Sequence, residues 1–447
     1  MQDVHRITRL WTLALAITGA LAFGQAHASG FQLKENSVKS LGSAFAGSGV
    51  KTVDSSVVVN NPATMTRFEA TTVQADVTVI DLNYVFKGSG RDALGQPLSG
   101  GRGGDAGGVT PVPALSVVHK LDNGLALGAM VSAPFGLKTE YESGWVGRYF
   151  AQTSDVKIVD LTFSAALDIN DHLSVGIGAI HSTAEVTLSK DVDFGSLLFS
   201  NPATRSLPFA RPQARDGSIN VEGDDTGFGW LAGVNLRPTD RLAIGLSYRS
   251  EIDYELDGDV DWTVPQDVAA VFGSSPSTRA LFQDGGVRAD LTTPSLTTVA
   301  ARYDFSERFS MMATWSGTGW SSLREVRIDF DNPDPDGVEP FEWEDSVFAS
   351  LGAEYRLNDA WTLRGGVAHD ETPTSIEHRS PRLPDDDRLW YSIGATWQAS
   401  NALEVSMAYA RIEPKDPKID IAASGSRLTG PFEGNANLFG VSAQYRF

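Results

Sequence analysis

Cysteine is absent from the 447-residue chain, which excludes disulfides, thiolate metal sites and cysteine nucleophiles together. An oxidising compartment stays open, since a stable fold there need not use disulfides. Basic residues are scarce: 36 Lys and Arg stand against 56 Asp and Glu, a formal net charge of −20. A phosphate backbone needs a basic face, so no nucleic-acid partner is expected. Beyond the first 28 residues there is no apolar run of the roughly 18 residues that suggest a membrane-spanning helix. The seven histidines (5, 27, 119, 172, 181, 369 and 378) lack metal-ligand spacing, and no G-x-S-x-G elbow occurs. Gly101–Ala106 only loosely echoes a dinucleotide loop, and it precedes a strand instead of a helix. The calcium-like Asn332–Gly337 run places Trp343 where a twelfth-position Glu is needed. No metal, no cofactor and no enzymatic activity are expected.

What is present begins with an export signal. Arg6 and Arg9 precede a 14-residue apolar stretch, Leu10–Phe23, and Ala26-His27-Ala28 supplies an A-x-A cleavage site. Residues 1–28 are therefore expected to be removed. The rest alternates at period two. Leu242, Ile244, Leu246 and Tyr248 alternate with Arg241, Gly245, Ser247 and Arg249, and Leu389, Tyr391, Ile393, Ala395 and Trp397 alternate similarly. Successive side chains of a strand point to opposite faces, so each run has an apolar and a polar or small face.

Connection lengths separate a soluble sandwich from a membrane barrel. Fourteen strands are predicted, near 70–86, 109–120, 124–138, 155–168, 172–190, 225–237, 241–258, 287–303, 309–330, 341–356, 361–371, 387–399, 402–414 and 434–447. Six short turns, such as Leu121-Asp122-Asn123-Gly124 and Leu357-Asn358-Asp359-Ala360, alternate with seven longer connections, including 191–224, 259–286 and 415–433. Short periplasmic turns, longer external loops and an even strand number mark an outer-membrane barrel. Aromatic residues near strand ends (Trp230, Tyr248, Trp361, Trp397) suit interface girdles, although aromatics favour any strand. The expected fold is all-β: a transmembrane antiparallel β-barrel of about fourteen strands over 70–447, in the outer membrane of a Gram-negative bacterium.

Residues 29–69 are small and polar, with Asn60-Asn61-Pro62-Ala63 as a turn-forming step, and read as a plug, or hatch, inside the lumen. The external connection 259–286 carries Val264, Val268, Ala269, Val271 and Phe272 at helical spacing, and 191–224 carries Phe194, Leu197, Leu198, Phe199 and Phe209. Such faces either bind something greasy or pack on each other.

Several stretches in order resemble the FadL family of outer-membrane transporters for long-chain fatty acids and other hydrophobic compounds. They are Ser29-Gly30-Phe31-Gln32-Leu33, Leu41–Gly47, Asn61-Pro62-Ala63, Gly227–Trp230 with Tyr248–Glu251, and Pro384–Trp390. The resemblance implies capture of an apolar solute at external loops and an internal pocket gated by the N-terminus, which singles out Phe31. It implies lateral exit where the third strand kinks, at Pro134, Phe135 and Gly136. Proline lacks the N–H of a ladder and glycine tolerates bent backbone, so the kink is physically plausible; the alternative is that Pro134 merely ends the strand. The resemblance also maps a basic ligand contact to Arg327 in Trp320–Arg327. The family's fifth-strand arginine has no counterpart in Thr183–Leu188, which leaves room for an aromatic hydrocarbon in place of a fatty acid. Expected partners are such a hydrophobic small molecule, outer-membrane lipid and lipopolysaccharide, with the chain as a monomer. A non-transporting, adhesin-like or structural barrel is the alternative function, and the plug disfavours a non-selective porin.

Overall fold

The computed structural model describes residues 30–415 and 417–447; the expected signal, 1–28, lies outside the described residues. Fourteen antiparallel strands close into one barrel. They are β1 (Thr72–Phe86), β2 (Gly108–Lys120), β3 (Ala126–Glu140), β4 (Thr153–Asn170), β5 (Leu173–Asp193) and β6 (Asp216–Thr239). Then come β7 (Leu242–Arg249, continued by Ile252–Thr263), β8 (Gly285–Thr293, continued by Leu296–Asp304) and β9 (Phe309–Thr318, continued by Glu325–Phe330). The last are β10 (Ser346–Arg356), β11 (Trp361–Asp370), β12 (Arg388–Gln398), β13 (Leu403–Pro414) and β14 (Ser426–Arg446). The ring closes where β14 pairs with β1, from Thr72↔Arg446 to Phe86↔Phe432. Closure gives every strand a neighbour on each side, as a strand structure in lipid requires.

The interruptions have local causes. Pro294 in β8 has no N–H to give the ladder. At Ser250 in β7 the hydroxyl Oγ accepts from Trp230 N at 3.0 Å, replacing a ladder bond. β6 and β14 begin nine and eight residues before the expected starts of 225 and 434. Those outer stretches hold paired ribbon: β5 and β6 stay in register out to Asp193↔Asp216, and Lys418–Ala423 pairs with Ser426–Pro431. Both faces of such a ribbon stand in water or against loops, so its sequence carries no sustained alternation of polarity.

The barrel is inverted relative to a soluble fold. Val77, Ile177, Phe228, Trp315, Ile393 and Val441 are exposed outward, whereas Thr78, Ser116, Ser164, Asn235, Thr314 and Ser442 are buried inward. An apolar outer band over a polar interior is the pattern that a bilayer selects. Trp230 with Tyr248 (ring centroids 5.2 Å apart) and Trp361 with Trp397 (6.3 Å) lie on the outer face.

Most of residues 30–68 is buried, packed against the strands. Two short helices, α1 (Val38–Leu41) and α2 (Val57–Asn60), are followed by a 3₁₀ turn, Pro62–Arg67. Asn61 caps that turn: its side chain accepts from Ala63 N at 3.2 Å and Pro62 fills the first position. The same Asn61 donates to Val234 O of β6 at 3.0 Å. Buried charge ties the segment down, since Lys39 Nζ donates to Glu404 Oε2 at 2.7 Å, Gln444 Oε1 at 2.8 Å and Val53 O at 2.7 Å. Removing one partner of such a pair costs about 3–5 kcal/mol.

Close approach at the wall needs residues without a Cβ. A Cβ on Gly233 would lie 2.1 Å from Asn61 Oδ1, and one on Gly366 would lie 2.2 Å from Ser43 O. Gly233→Val and Gly366→Val are therefore expected to unseat the N-terminal segment while the barrel stays closed. Limited proteolysis should cut within 30–70 in both variants, with the heat-modifiable gel mobility of a folded barrel retained.

Candidate functional site

A β-strand that gains one residue relative to its neighbour turns its following side chains over. β3 does this at Ala133-Pro134. Its register with β4 shifts between Ser132↔Asp160 and Phe135↔Ile158, three steps on β3 for two on β4. Before the bulge the even-numbered Met130 and Ser132 are buried and Val131 is exposed outward. After it the odd-numbered Phe135 and Thr139 are buried. The extra residue is what turns Phe135 inward.

The bulge also parts two strands. β2 and β3 pair only from Leu115↔Val131 to His119↔Leu127 and Lys120↔Ala126. Farther out, Gly108–Ala114 pairs with β1 alone, and at the outer end Glu140 N donates to Ala106 O at 3.0 Å. Between these limits the wall has a break. Its β2 side carries Pro111 and Pro113, residues suited to an unpaired edge because they present no N–H.

The N-terminal segment takes the place of β2 beside the kink. Leu33 N donates to Pro134 O at 2.8 Å and Gly136 N donates to Phe31 O at 2.9 Å, around a bridge between Gln32 and Phe135. Phe31 is buried in an aromatic nest, its ring centroid 4.9 Å from that of Trp320 and 5.8 Å from those of Phe135 and Trp343. Such pairs add about 0.5–1.5 kcal/mol each beyond buried area. The start of the segment is held across the lumen: Gly30 N donates to Asp385 Oδ2 at 3.2 Å, and Arg388 Nη2 donates to Gly30 O at 3.0 Å. Arg388 and Asp385 are themselves paired at 2.6 Å.

Two chambers flank this extended segment. The larger, about 730 Å³, is lined by Phe31, Leu33 and Glu35 and by both margins of the break, including Val112 and Leu137. The smaller, about 90 Å³, is lined by Lys34, Asn36, Ser247, Thr298 and the Asp160–Arg249 pair. Gln32, Leu33 and Phe135 line both. The segment therefore stands between them as a septum, with Phe31 and Glu35 on the larger chamber alone and Lys34 and Asn36 on the smaller alone.

The sequence-derived candidates divide accordingly. Phe31, Pro134, Phe135 and Gly136 converge on the break. Asn61, Pro62 and Ala63 sit at the β6 wall below. Arg327 lies apart from both chambers: it is half-exposed and paired with Asp336 and Glu325 at 3.0 and 2.9 Å. Val268 is fully buried against Phe194, Leu198 and Ala210, with Phe272 packed on the same cluster, so these two external connections pack on each other. Phe199 lies 5.8 Å beneath the Arg205 guanidinium. Trp320, Trp343, Lys34, Glu35 and the wall end of the Arg388–Asp385 pair were not singled out as site residues from sequence. Trp320 and Trp343 were legible only as aromatics beside other motifs.

Burial pushes the Glu35 carboxyl up to about 7, against the smaller opposing effects of hydrogen bonds to the Glu35 and Lys34 backbone and of the Lys34 and Arg388 charges. A carboxyl with a raised folded pKa favours the seated segment while protonated, and that advantage is lost as pH rises through about 7. Hydrogen exchange at Leu33 N and Gly136 N, corrected for intrinsic rates, is expected to be faster at pH 8 than at pH 5. Glu35→Gln should remove most of that difference.

Comparison with known proteins gives the family and the fold. A profile of the family described as outer membrane protein transport protein (OMPP1/FadL/TodX) matches residues 19–447. The long-chain fatty acid transport protein of Escherichia coli O6:H1 is 27% identical over 97% of this chain and 98% of its own. Outer membrane protein P1 of Haemophilus influenzae is 28% identical over the same shares. The crystal structure of a Pseudomonas aeruginosa FadL homologue superposes with a TM-score of 0.88 at 26% identity, covering 94% of this chain and 100% of that one. The Pseudomonas putida toluene transporter TodX shares the fold, with a TM-score of 0.67 at 16% identity over 95% and 99% of the two chains. With a fourteen-stranded barrel, an inward kink at β3 and a family match over nearly its whole length, the chain belongs to the OMPP1/FadL/TodX family of outer-membrane transport proteins.

Proposed function

We propose that this protein takes up hydrophobic molecules, long-chain fatty acids or similar compounds, across the outer membrane. Residues 29–69 act as a hatch in the barrel formed by 70–447. The solute is captured at the external loops, enters the larger chamber as Phe31 leaves its nest, and exits sideways through the break between β2 and β3. The observation that carries the reading is the continuity of that chamber with the break, at the one place where the N-terminal segment completes the kinked strand. An apolar solute leaving there enters lipid without crossing a polar lumen. Surrounding partners are outer-membrane lipid and lipopolysaccharide, and the closed ring suits a monomer.

A second reading, uptake of an aromatic hydrocarbon, is favoured by the nest itself. Phe31 is seated among Phe135, Trp320 and Trp343, and an aromatic ligand offers the same ring contacts.

The test is uptake of palmitate and of toluene by cells carrying wild type, Phe31→Ala or a deletion of Pro134, which restores one-to-one register with β4. Deletion of Pro134 is expected to lower uptake of the physiological solute by about tenfold, and Phe31→Ala, which removes the burial that seats the segment, is expected to raise it, with assembled barrel in the membrane unchanged. Undiminished uptake of both solutes on deletion of Pro134 sinks the lateral route. Palmitate transport without toluene transport, or the reverse, separates the two readings.

A further inference from the structure

Three lysines of the N-terminal segment reach into the barrel, and they are not equally satisfied. Lys39 Nζ has three acceptors, one of them the Glu404 carboxylate. Lys51 Nζ donates to Ser43 Oγ at 2.7 Å and to Lys39 O at 3.3 Å. Lys34 Nζ donates to Gln32 Oε1 alone, at 2.9 Å, and stands 4.3 Å from the centre of the Phe348 ring. An ammonium group has three N–H donors. Two of those on Lys34 are uncommitted in a lumen where an unpaired cation is costly.

No described carboxylate comes within ion-pair distance of Lys34. The acid on the same chamber wall, Asp160, is already compensated by Arg249 at 2.8 Å. Glu35 points to the opposite side of the septum, into the larger chamber. Arg327, to which family likeness assigns the basic ligand contact, is on an exposed ribbon. Arg388 is committed to Asp385 and Gly30.

We propose that Lys34 is the head-group site for an anionic amphiphile, with the apolar chain of the ligand in the 730 Å³ chamber and its anion beside Lys34 across the septum. This rests on the transport reading above and adds to it the residue of this chain that selects for a charged end on the ligand. The septum's two faces match the two ends of such a molecule. Phe31 lines the apolar side, and Lys34 with Asn36 lines the polar one. Gln32 and Leu33, which line both chambers, are held to β3 by only a short bridge, so movement of this stretch joins the chambers and lets one molecule span them. Burial lowers the pKa of Lys34, against the smaller opposing charges of Asp370 and Glu35, and an arriving anion favours its charged form.

The test is tryptophan-fluorescence titration of detergent-purified full-length protein with palmitate and with methyl palmitate, which has the same chain and no charge. Lys34→Met is expected to weaken palmitate binding by about tenfold or more, the loss of one charge-assisted hydrogen bond, and to leave methyl palmitate binding unchanged. Lys34→Arg should retain palmitate. Heat-modifiable mobility confirms that each variant is folded. Unchanged palmitate binding in Lys34→Met overturns the assignment, as does equal loss of both ligands, which marks a structural role. Failure of wild type to bind palmitate, methyl palmitate or toluene overturns the transport reading itself.

Discussion

Every backbone N–H and C=O in a bilayer-spanning strand needs a partner inside the protein, and β3 meets this demand with two different neighbours. Its inner half pairs with β2, and its outer half, past the bulge, turns inward to the N-terminal segment. The lateral break, the burial of Phe135 and the seating of Phe31 all follow from that exchange. Where β3 leaves β2, the partner's edge carries Pro111 and Pro113, so the exposed margin presents fewer unmet donors to lipid. A single inserted residue therefore accounts for both the break in the β2–β3 pairing and the anchor for the segment beside it.

The rest of the N-terminal segment is fixed by different means. From Ser37 onward it is held by buried charge, by Asp54 accepting from Ser37 and Ser40, and by wall positions that lack a Cβ. These contacts are dense, polar and short, and loosening them leaves charges buried without partners. Residues 30–36 are held by a few backbone bonds, an aromatic nest and two hydrogen bonds between Gly30 and the Arg388–Asp385 pair. The chain thus changes from a rigid attachment to a replaceable one within a few residues, just where it meets the break.

Much of this was legible in the sequence, and the limits are physical. Period-two alternation gave the strands because lipid on one side and a polar lumen on the other impose opposite polarities. It failed for the outer parts of β6 and β14, where Glu222 and Asp224 face water and no such contrast exists. Pro134 was legible because a proline in a strand has few uses. The direction of the kink was not, since it depends on whether the extra residue belongs to β3 or β4. Juxtapositions across the ring were equally hidden: Gly30 and Asp385 are 355 positions apart, and no local pattern announces their meeting. Arg327 came from family likeness alone: β9 is interrupted after Thr318, and its continuation, Glu325–Phe330, pairs with Gly337–Pro340 in an exposed ribbon apart from both chambers, a departure that local pattern does not announce.

The energetic balance of the seated segment sets what a ligand must supply. Two backbone hydrogen bonds to β3 contribute about 1 kcal/mol each net, and burial of the Phe31 side chain contributes about 2–3 kcal/mol. Their sum, near 5 kcal/mol, would hold the gate shut almost always if nothing replaced it. A long apolar ligand replaces the larger part in kind, because the chamber buries its surface in the nest that Phe31 vacates. An ordinary polar solute replaces neither part, so it leaves the segment seated. Selectivity for hydrophobic cargo, on the proposed mechanism, therefore resides less in the shape of the chamber than in the apolar character of the contacts that must be exchanged to open it.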